Sequence, residues 1–328
     1  MGLLAAITGL LHRAPPPDSA TREGLARITE LVDPLVKAAP DFDRRLEAPV
    51  HHALAYCEGL VDGLPGPCTI DARAFAADPL VHALFATADD IRGMLGRSQA
   101  VRDFLADPAS RGSDSFYALL AARRQQKKQL GLGLQGDTVH GEIPQTVLYF
   151  ADHTLVEPRC ELFEARRALR ASAFDSLLRN FHAHLEGLRL EWDETRGDRS
   201  REQAHLALLR GTTPGPEYAV HTRRLAELDA HLRSVATSLE PDPLVRALSE
   251  FLLAPELSLA LRPCSLAVDR LGVVANPERP GDAEVLDFPE LCGRDKRHYL
   301  VMLVRVNRAE AEAAVASVLD LKHRFVIL

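Results

Sequence analysis

Lysine is scarce in this chain of 328 residues. It occurs only at Lys37, Lys127, Lys128, Lys296 and Lys322, so the basic charge is carried almost wholly by arginine. With a net charge of -7 and a pI near 6.0, the charges are well mixed. That excludes a global nucleic-acid footprint, though not a local basic patch. Paired cysteines are also missing. Cys57, Cys68, Cys160, Cys264 and Cys292 are scattered and odd in number, and no CxxC occurs. Neither a disulfide framework nor a zinc knuckle is indicated, and reduced thiols in a cytoplasmic protein are the expectation. No apolar run approaches the ~20 residues that span a bilayer. The opening MGLLAAITGLLHR lacks a basic n-region and runs into Pro15–Pro17. It reads as a docked helix rather than a secretory signal, and Ala6 breaks the myristoylation pattern.

Apolar residues at 46% and charged residues at 26% are ordinary globular values, enough for a sizeable core. Residues 1–122 read as a helical block. Leu25, Ile28, Leu31, Val32 and Leu35 share one helical face. The word Asp-Pro-Leu-Val recurs at Asp33, Asp78 and Asp242. Unequal spacing argues against a repeat; each copy reads as a helix start, with Asp capping free N–H groups and Pro in the first turn. His51, His52 and Cys57 suggest a metal set, but the five-residue step from His52 to Cys57 suits no single helix face. Helices are expected over Asp71–Leu105 and Ser113–Lys127.

The stretch 123–158 carries most of the chemistry. Gly131-Leu132-Gly133-Leu134-Gln135-Gly136 matches G-x-G-x-x-G by letter only. A charged segment precedes it and β-like sequence follows, the reverse of a dinucleotide site. A kinase-type glycine loop needs a lysine on the next strand, and none lies between Lys128 and Lys296. The glycines fit better as positions of close backbone approach in a strand. Thr138–Ile143 and Gln145–Phe150 read as further strands, with Pro144 marking a turn or an edge, and Thr146–Phe150, apolar on both faces, is expected to be an interior strand. Here His140, Glu142, Asp152 and His153 form the candidate catalytic group. His140 and Glu142 stand i, i+2 on one strand, and strand pairing could bring Asp152 or His153 alongside, as a general base or metal site. The run Arg123, Arg124, Lys127, Lys128 is the candidate phosphate-contacting patch. It lacks the interleaved aromatics of a base-stacking surface and reads also as cations at a helix C-terminus.

Residues 159–255 read as a helical arm. Leu162, Leu169, Ala173, Leu177, Phe181, Leu185, Leu188 and Trp192 line one face, with a break or bend expected at Gly197-Asp198. Gly211–Pro216 reads as a hinge. The return helix carries Tyr218, Leu225, Leu228, Leu232, Val235 and Leu239 at coiled-coil spacing. Residues 256–328 read as β-rich: Leu257–Leu261, Ser265–Val268, Leu271–Val274, Glu284–Phe288 and His298–Val306. A helix capped by Asn307 follows, and Arg324–Leu328 is expected to be a buried strand. The fold class is therefore α+β and predominantly helical: a helical block (1–122), a short β segment (123–158), an antiparallel helical hairpin arm (159–255) and a C-terminal block of strands and one helix (256–328). The two β segments are expected to join in one sheet. No cofactor is implied. The functional expectation is an interaction or regulatory protein that binds a protein partner or itself through residues 159–239. The alternatives are an acid–base or metal-assisted enzyme using the His/carboxylate group, and a phosphate-contacting module using the basic run.

Overall fold

The computed structural model of the chain describes residues 18–135, 138–209, 215–269, 272–275, 283–293 and 298–325; for 132–135, 138–140, 142–143 and 319–325 the description extends to the backbone alone. In chain order the elements are α1 (Ser19–Leu31), a 3-10 turn (Pro34–Ala38), α2 (Phe42–Asp62), β1 (Cys68–Thr69), α3 (Ala72–Ala77), α4 (Pro79–Leu84), α5 (Ala88–Arg97) and α6 (Gln99–Ala106). Then follow β2 (Ser115–Gln135), β3 (Thr138–Arg159), α7 (Leu162–Leu209), α8 (Pro216–Ser238), α9 (Pro241–Leu253), β4 (Leu259–Val268), β5 (Glu284–Gly293), β6 (His298–Asn307) and α10 (Arg308–Phe325). The protein is mixed α+β and mostly helical. Among the described residues no helix is long and apolar enough to cross a membrane.

Local chemistry explains most of the boundaries. Asp33 accepts from Leu35 N at 2.7 Å, and Asp78 from Leu80 N at 2.8 Å and Val81 N at 3.2 Å, each with Pro in the first turn. The third Asp-Pro word behaves differently. α9 already begins at Pro241 after Glu240, so Asp242 lies inside the first turn and pairs with Arg45 at 2.5 Å. Asn307 Oδ1 accepts from Glu310 N at 3.2 Å at the start of α10, as its position foretold.

The described residues cluster into two compact units, 18–56 with 174–255, and 57–173 with 256–325. The first is all helical. Ile28, Val36, Leu46, Val50 and Ala53 are buried in it, as are Phe174, Leu177, Leu178, Phe181 and Leu185 of α7 and Val245, Leu248 and Leu252 of α9. Polar fasteners align the helices. Arg27 donates twice to Asp175, at 3.1 and 2.5 Å, and His182 Nδ1 lies 2.8 Å from the Val32 carbonyl oxygen.

The second unit is built on one sheet of order β3-β2-β6-β5-β4, antiparallel throughout, with β1 added in parallel to β6. The two β segments do join, but through β2: Ser115–Arg123 pairs with Tyr299–Asn307, while 145–150 lies one strand further out. Gly272–Ala275 bridges the two sheet edges. Ala275 N donates to Ala267 O and Val274 N to Thr146 O, both at 2.8 Å. One sheet face presents Phe116, Ala118, Leu120, Phe288, Leu300, Met302 and Val304 to a core shared with Val81, Leu84, Ile91, Leu95 and Val101 of α4 to α6 and with Ala311 and Ala314 of α10. Val301 and Leu303 point to the other face, with Val61, Leu64 and Leu169. β6 is thus covered on both sides, which is why it reads as a continuous apolar run.

Several expectations are corrected. Ser113–Lys127 is not a helix: from Ser115 it is strand β2. Its Ala, Leu, Arg, Gln and Lys favour helix intrinsically, but Phe116, Ala118, Leu120 and Ala122 alternate with period two and are fully buried, and pairing with β6 overrides propensity. Thr138–Ile143 and Gln145–Phe150 are one strand, β3, and 146–150 lies at the edge of the sheet rather than in its interior. Of the two readings of Pro144 the edge holds, since it sits within β3 opposite Leu130, where an edge strand tolerates its missing N–H. Gly197-Asp198 does not interrupt α7, whose 48 residues run unbroken for about 72 Å. The expected strands Leu257–Leu261 and Ser265–Val268 merge into the single strand β4, which begins only at Leu259; Leu257 ends a 3-10 turn. Arg324 and Phe325 end α10 rather than forming a strand, and Val326–Leu328 lie outside the described residues, as do Gly211–Pro214 of the expected hinge.

Candidate functional site

The four candidate catalytic residues all fall on β3, not on two paired strands. His140 stands opposite Gly133, and Asp152 lies 12 residues further along, about 40 Å of strand. The i, i+2 relation of His140 and Glu142 is also interrupted. Gly131 pairs with Ile143 and Gly133 with His140, so Gly141 and Glu142 together oppose one residue in a bulge. The side chains of His140 and Glu142 lie outside the described residues. His51 and His52 are exposed, while Cys57 is fully buried with its thiol pKa pushed up to about 12 by desolvation.

Asp152 and His153 form a second bulge. Ala121 pairs with Thr154 and Arg123 with Ala151, leaving the two residues opposite Ala122, with Asp152 at φ 53°. The bulge parts their roles. Asp152 is exposed and forms an ion pair with Arg123, with Nε 3.0 Å from its carboxylate. His153 turns inward and stacks on Phe85, with centroids 4.6 Å apart. Its Nε2 lies 2.6 Å from the Leu84 carbonyl oxygen, so that nitrogen carries the proton and donates. Burial pushes the His153 pKa below its ordinary value, which keeps the ring neutral. Both residues line a cleft of about 710 Å³ together with Asp90, Met94, Arg97 and Phe150. Here His153 is a half-buried, neutral side chain whose Nε2 is satisfied by a backbone carbonyl.

The basic run is dispersed rather than gathered. As part of a strand, Arg123 and Lys127 alternate with Arg124 and Lys128 across its two faces. Arg123 is held by Asp152, and Arg124 donates from Nε to Glu290; Lys127 and Lys128 are exposed. Arg124 belongs to a group that sequence reasoning did not assemble. Glu290 and Cys292 of β5 and His298 of β6 place their ligating atoms within 4.8 Å of one another. His298 Nδ1 lies 3.1 Å from Glu290 and 3.4 Å from Cys292 Sγ. Desolvation and the Glu290 charge raise the Cys292 thiol pKa. This is not the geometry of a nucleophile activated by a base, since one imidazole nitrogen faces both partners. The Arg124 guanidinium already neutralises the nearly buried Glu290, which opposes a second cation. The group reads as a structural polar plug, and only the β5–β6 register could have revealed it.

The arm has the most regular construction. On α7, Phe181, Leu185, Leu188, Trp192, Thr195, Arg199, Glu202, Leu206 and Leu209 follow alternating steps of four and three residues, and all are buried or half-buried. On α8, Tyr218, His221, Leu225, Leu228, Leu232 and Val235, with Leu239 at its C-cap, do the same. Cross-pairs set the two helices antiparallel: Glu191 with His231 at 2.8 Å, Arg199 with Asp229 at 2.5 Å and Glu202 with His221 at 2.5 Å. Advancing the α7 seam by two residues gives its opposite face: Ala183, Gly187, Leu190, Glu194, Gly197, Arg201, Ala204 and Leu208. Every one of these is exposed, Leu190 at 60% and Leu208 at 76%. Among the described residues, a Cβ built on Gly187 or Gly197 would meet nothing within 4 Å. Comparison with family models, with curated proteins and with solved structures finds no match for this chain.

Proposed function

We propose that this is an interaction protein whose helical arm pairs with the arm of a second copy, α7 against α7 in antiparallel orientation. The observation that carries the reading is the outer face of α7. Glycine inside a helix costs about 1 kcal/mol relative to alanine. At Gly187 and Gly197 nothing among the described residues needs that concession, because the space above each is open there. A second helix laid close against this face would use it.

The face is also complementary to itself. When two copies cross in antiparallel register at Gly197, Glu194 of each meets Arg201 of the other. Leu208 comes opposite Gly187, and Leu190 opposite Ala204, so large side chains oppose small ones and opposite charges face each other. A two-fold interface requires this self-matching. The apolar content is modest, so the dimer is a concentration-dependent one rather than an obligate assembly. Sedimentation equilibrium of the full chain tests it. Association should weaken in Leu208→Glu, and a chain that stays monomeric at every attainable concentration removes the proposal.

A further inference from the structure

A helical seam gains its stability from apolar residues at its inward positions, and a polar residue there costs stability while fixing register. The pairing of α7 with α8 carries four polar residues in its seam. Thr195 is small. Arg199 is neutralised by Asp229 at 2.5 Å and accepted by Gln203 at 3.2 Å. Glu202 and His221 are left facing each other, with Glu202 Oε1 2.5 Å from His221 Nδ1. His205 stands three residues after Glu202, one turn along the same face, and its ring centroid lies 5.5 Å from that of His221. Among the described residues, the ion-pair partner of Glu202 is His221, and no guanidinium or ammonium pairs with it. The contrast with Glu290, held by Arg124, is direct.

We infer that Glu202, His205 and His221 bind a divalent transition-metal ion of the zinc class and clamp the C-terminal end of α7 to the N-terminal end of α8. One potential ligand atom from each residue lies within 4.8 Å of the others. Ligands bound at about 2.0–2.1 Å in tetrahedral array stand roughly 3.3 Å apart, so closure needs shifts of about 1.5 Å or less at side chains near the surface. Two imidazoles and one carboxylate suit Zn²⁺ in hardness and number, and leave its fourth position to water. A carboxylate and an imidazole one turn apart on one helix, completed by a residue of the facing helix, is how helical bundles present metal ligands. The site also explains why a Glu and a His occupy inward positions. It does not rest on the self-association proposed above, since all three ligands come from one chain.

The test uses the full chain without a histidine tag, stripped with chelator and titrated with Zn²⁺ by calorimetry, with Co²⁺ as a spectroscopic substitute. The expected result is one ion per chain and visible Co²⁺ absorption of tetrahedral intensity. His205→Ala, His221→Ala and Glu202→Gln should each weaken binding by about 100-fold or more, exceeding the 10–100-fold typical of lost outer-shell partners. His205 is exposed, so its variant folds as the parent does and keeps the test valid if the seam variants are unstable. The second cluster provides the control: Cys292→Ala should leave affinity and stoichiometry unchanged. A chain that takes up no Zn²⁺, or one whose binding survives loss of all three ligands or is lost with Cys292, overturns the assignment.

Discussion

Reversing one charge on the outer face of α7 should weaken self-association, and reversing its partner should restore it. In the antiparallel pairing, Glu194 and Arg201 meet twice, once on each side of the two-fold axis at Gly197. Both residues are exposed, so each ion pair contributes about 0.2–1 kcal/mol. Glu194→Arg removes two such pairs and substitutes two like-charge contacts of comparable size. The summed effect is about 1–3 kcal/mol, or a roughly 5- to 150-fold weaker dimer. Arg201 already donates to Asp198 within the isolated helix, and this competition moves the expectation toward the lower end. Arg201→Glu should act alike, whereas the double variant recovers the parental dissociation constant with the polarity of each pair exchanged. Sedimentation equilibrium at two ionic strengths reads both, since an exposed pair weakens as the Debye length shrinks. Parental association in both single variants, or a double variant no better than either, refutes the register. A monomeric parent refutes the whole reading.

Gly197→Leu should separate folding from association. It replaces a mid-helix glycine in open space, so the isolated chain gains about 0.5–1 kcal/mol in urea denaturation, while the added side chain blocks the close approach and the dimer is lost in sedimentation. By contrast, Gly96→Leu should destabilise by about 1–3 kcal/mol or more, because a Cβ there would sit 2.6 Å from the Ala314 carbonyl oxygen of α10. His153 has a folded-state pKa below its unfolded value of 6.5, so the unfolded chain binds the extra proton first. Its contribution is fully present above that value and declines as pH falls from about 6.5 through the folded pKa; His153→Gln should flatten this part of a melting-temperature profile against pH. Arg124→Ala leaves the nearly buried Glu290 with His298 alone and should cost about 3 kcal/mol by chemical denaturation, with Arg124→Ala/Glu290→Gln recovering part of the loss.

How much of this was legible in the amino acids depended on the range of the interaction. Caps and turns are decided within four residues, so Asp33, Asp78 and Asn307 announced helix starts that the fold keeps. The 3–4 spacing from Tyr218 to Leu239 marked one half of the arm, and the apolar run of β6 marked a strand covered on both faces. Where distant partners decide, local reading failed for identifiable reasons. The segment after Ser115 is composed of helix formers, and only β6, some 180 residues later, supplies the hydrogen bonds that make it a strand. The bulges at Gly141–Glu142 and at Asp152–His153 are mismatches of register between two strands, which neither strand's residues record. They undo the grouping of His140, Glu142, Asp152 and His153 that period-two alternation implied. The arm carries the same lesson. Gly197 looked like a helix break because glycine is a poor helix former, yet paired α8 and the continuous α7 seam hold the helix through it. Composition and spacing determined that this chain would be a helix-rich α+β protein with an antiparallel arm. The tertiary structure decided which inward positions of that arm hold Glu202 and His221, and which face of α7 stays bare, because both depend on the rotation of one helix against another.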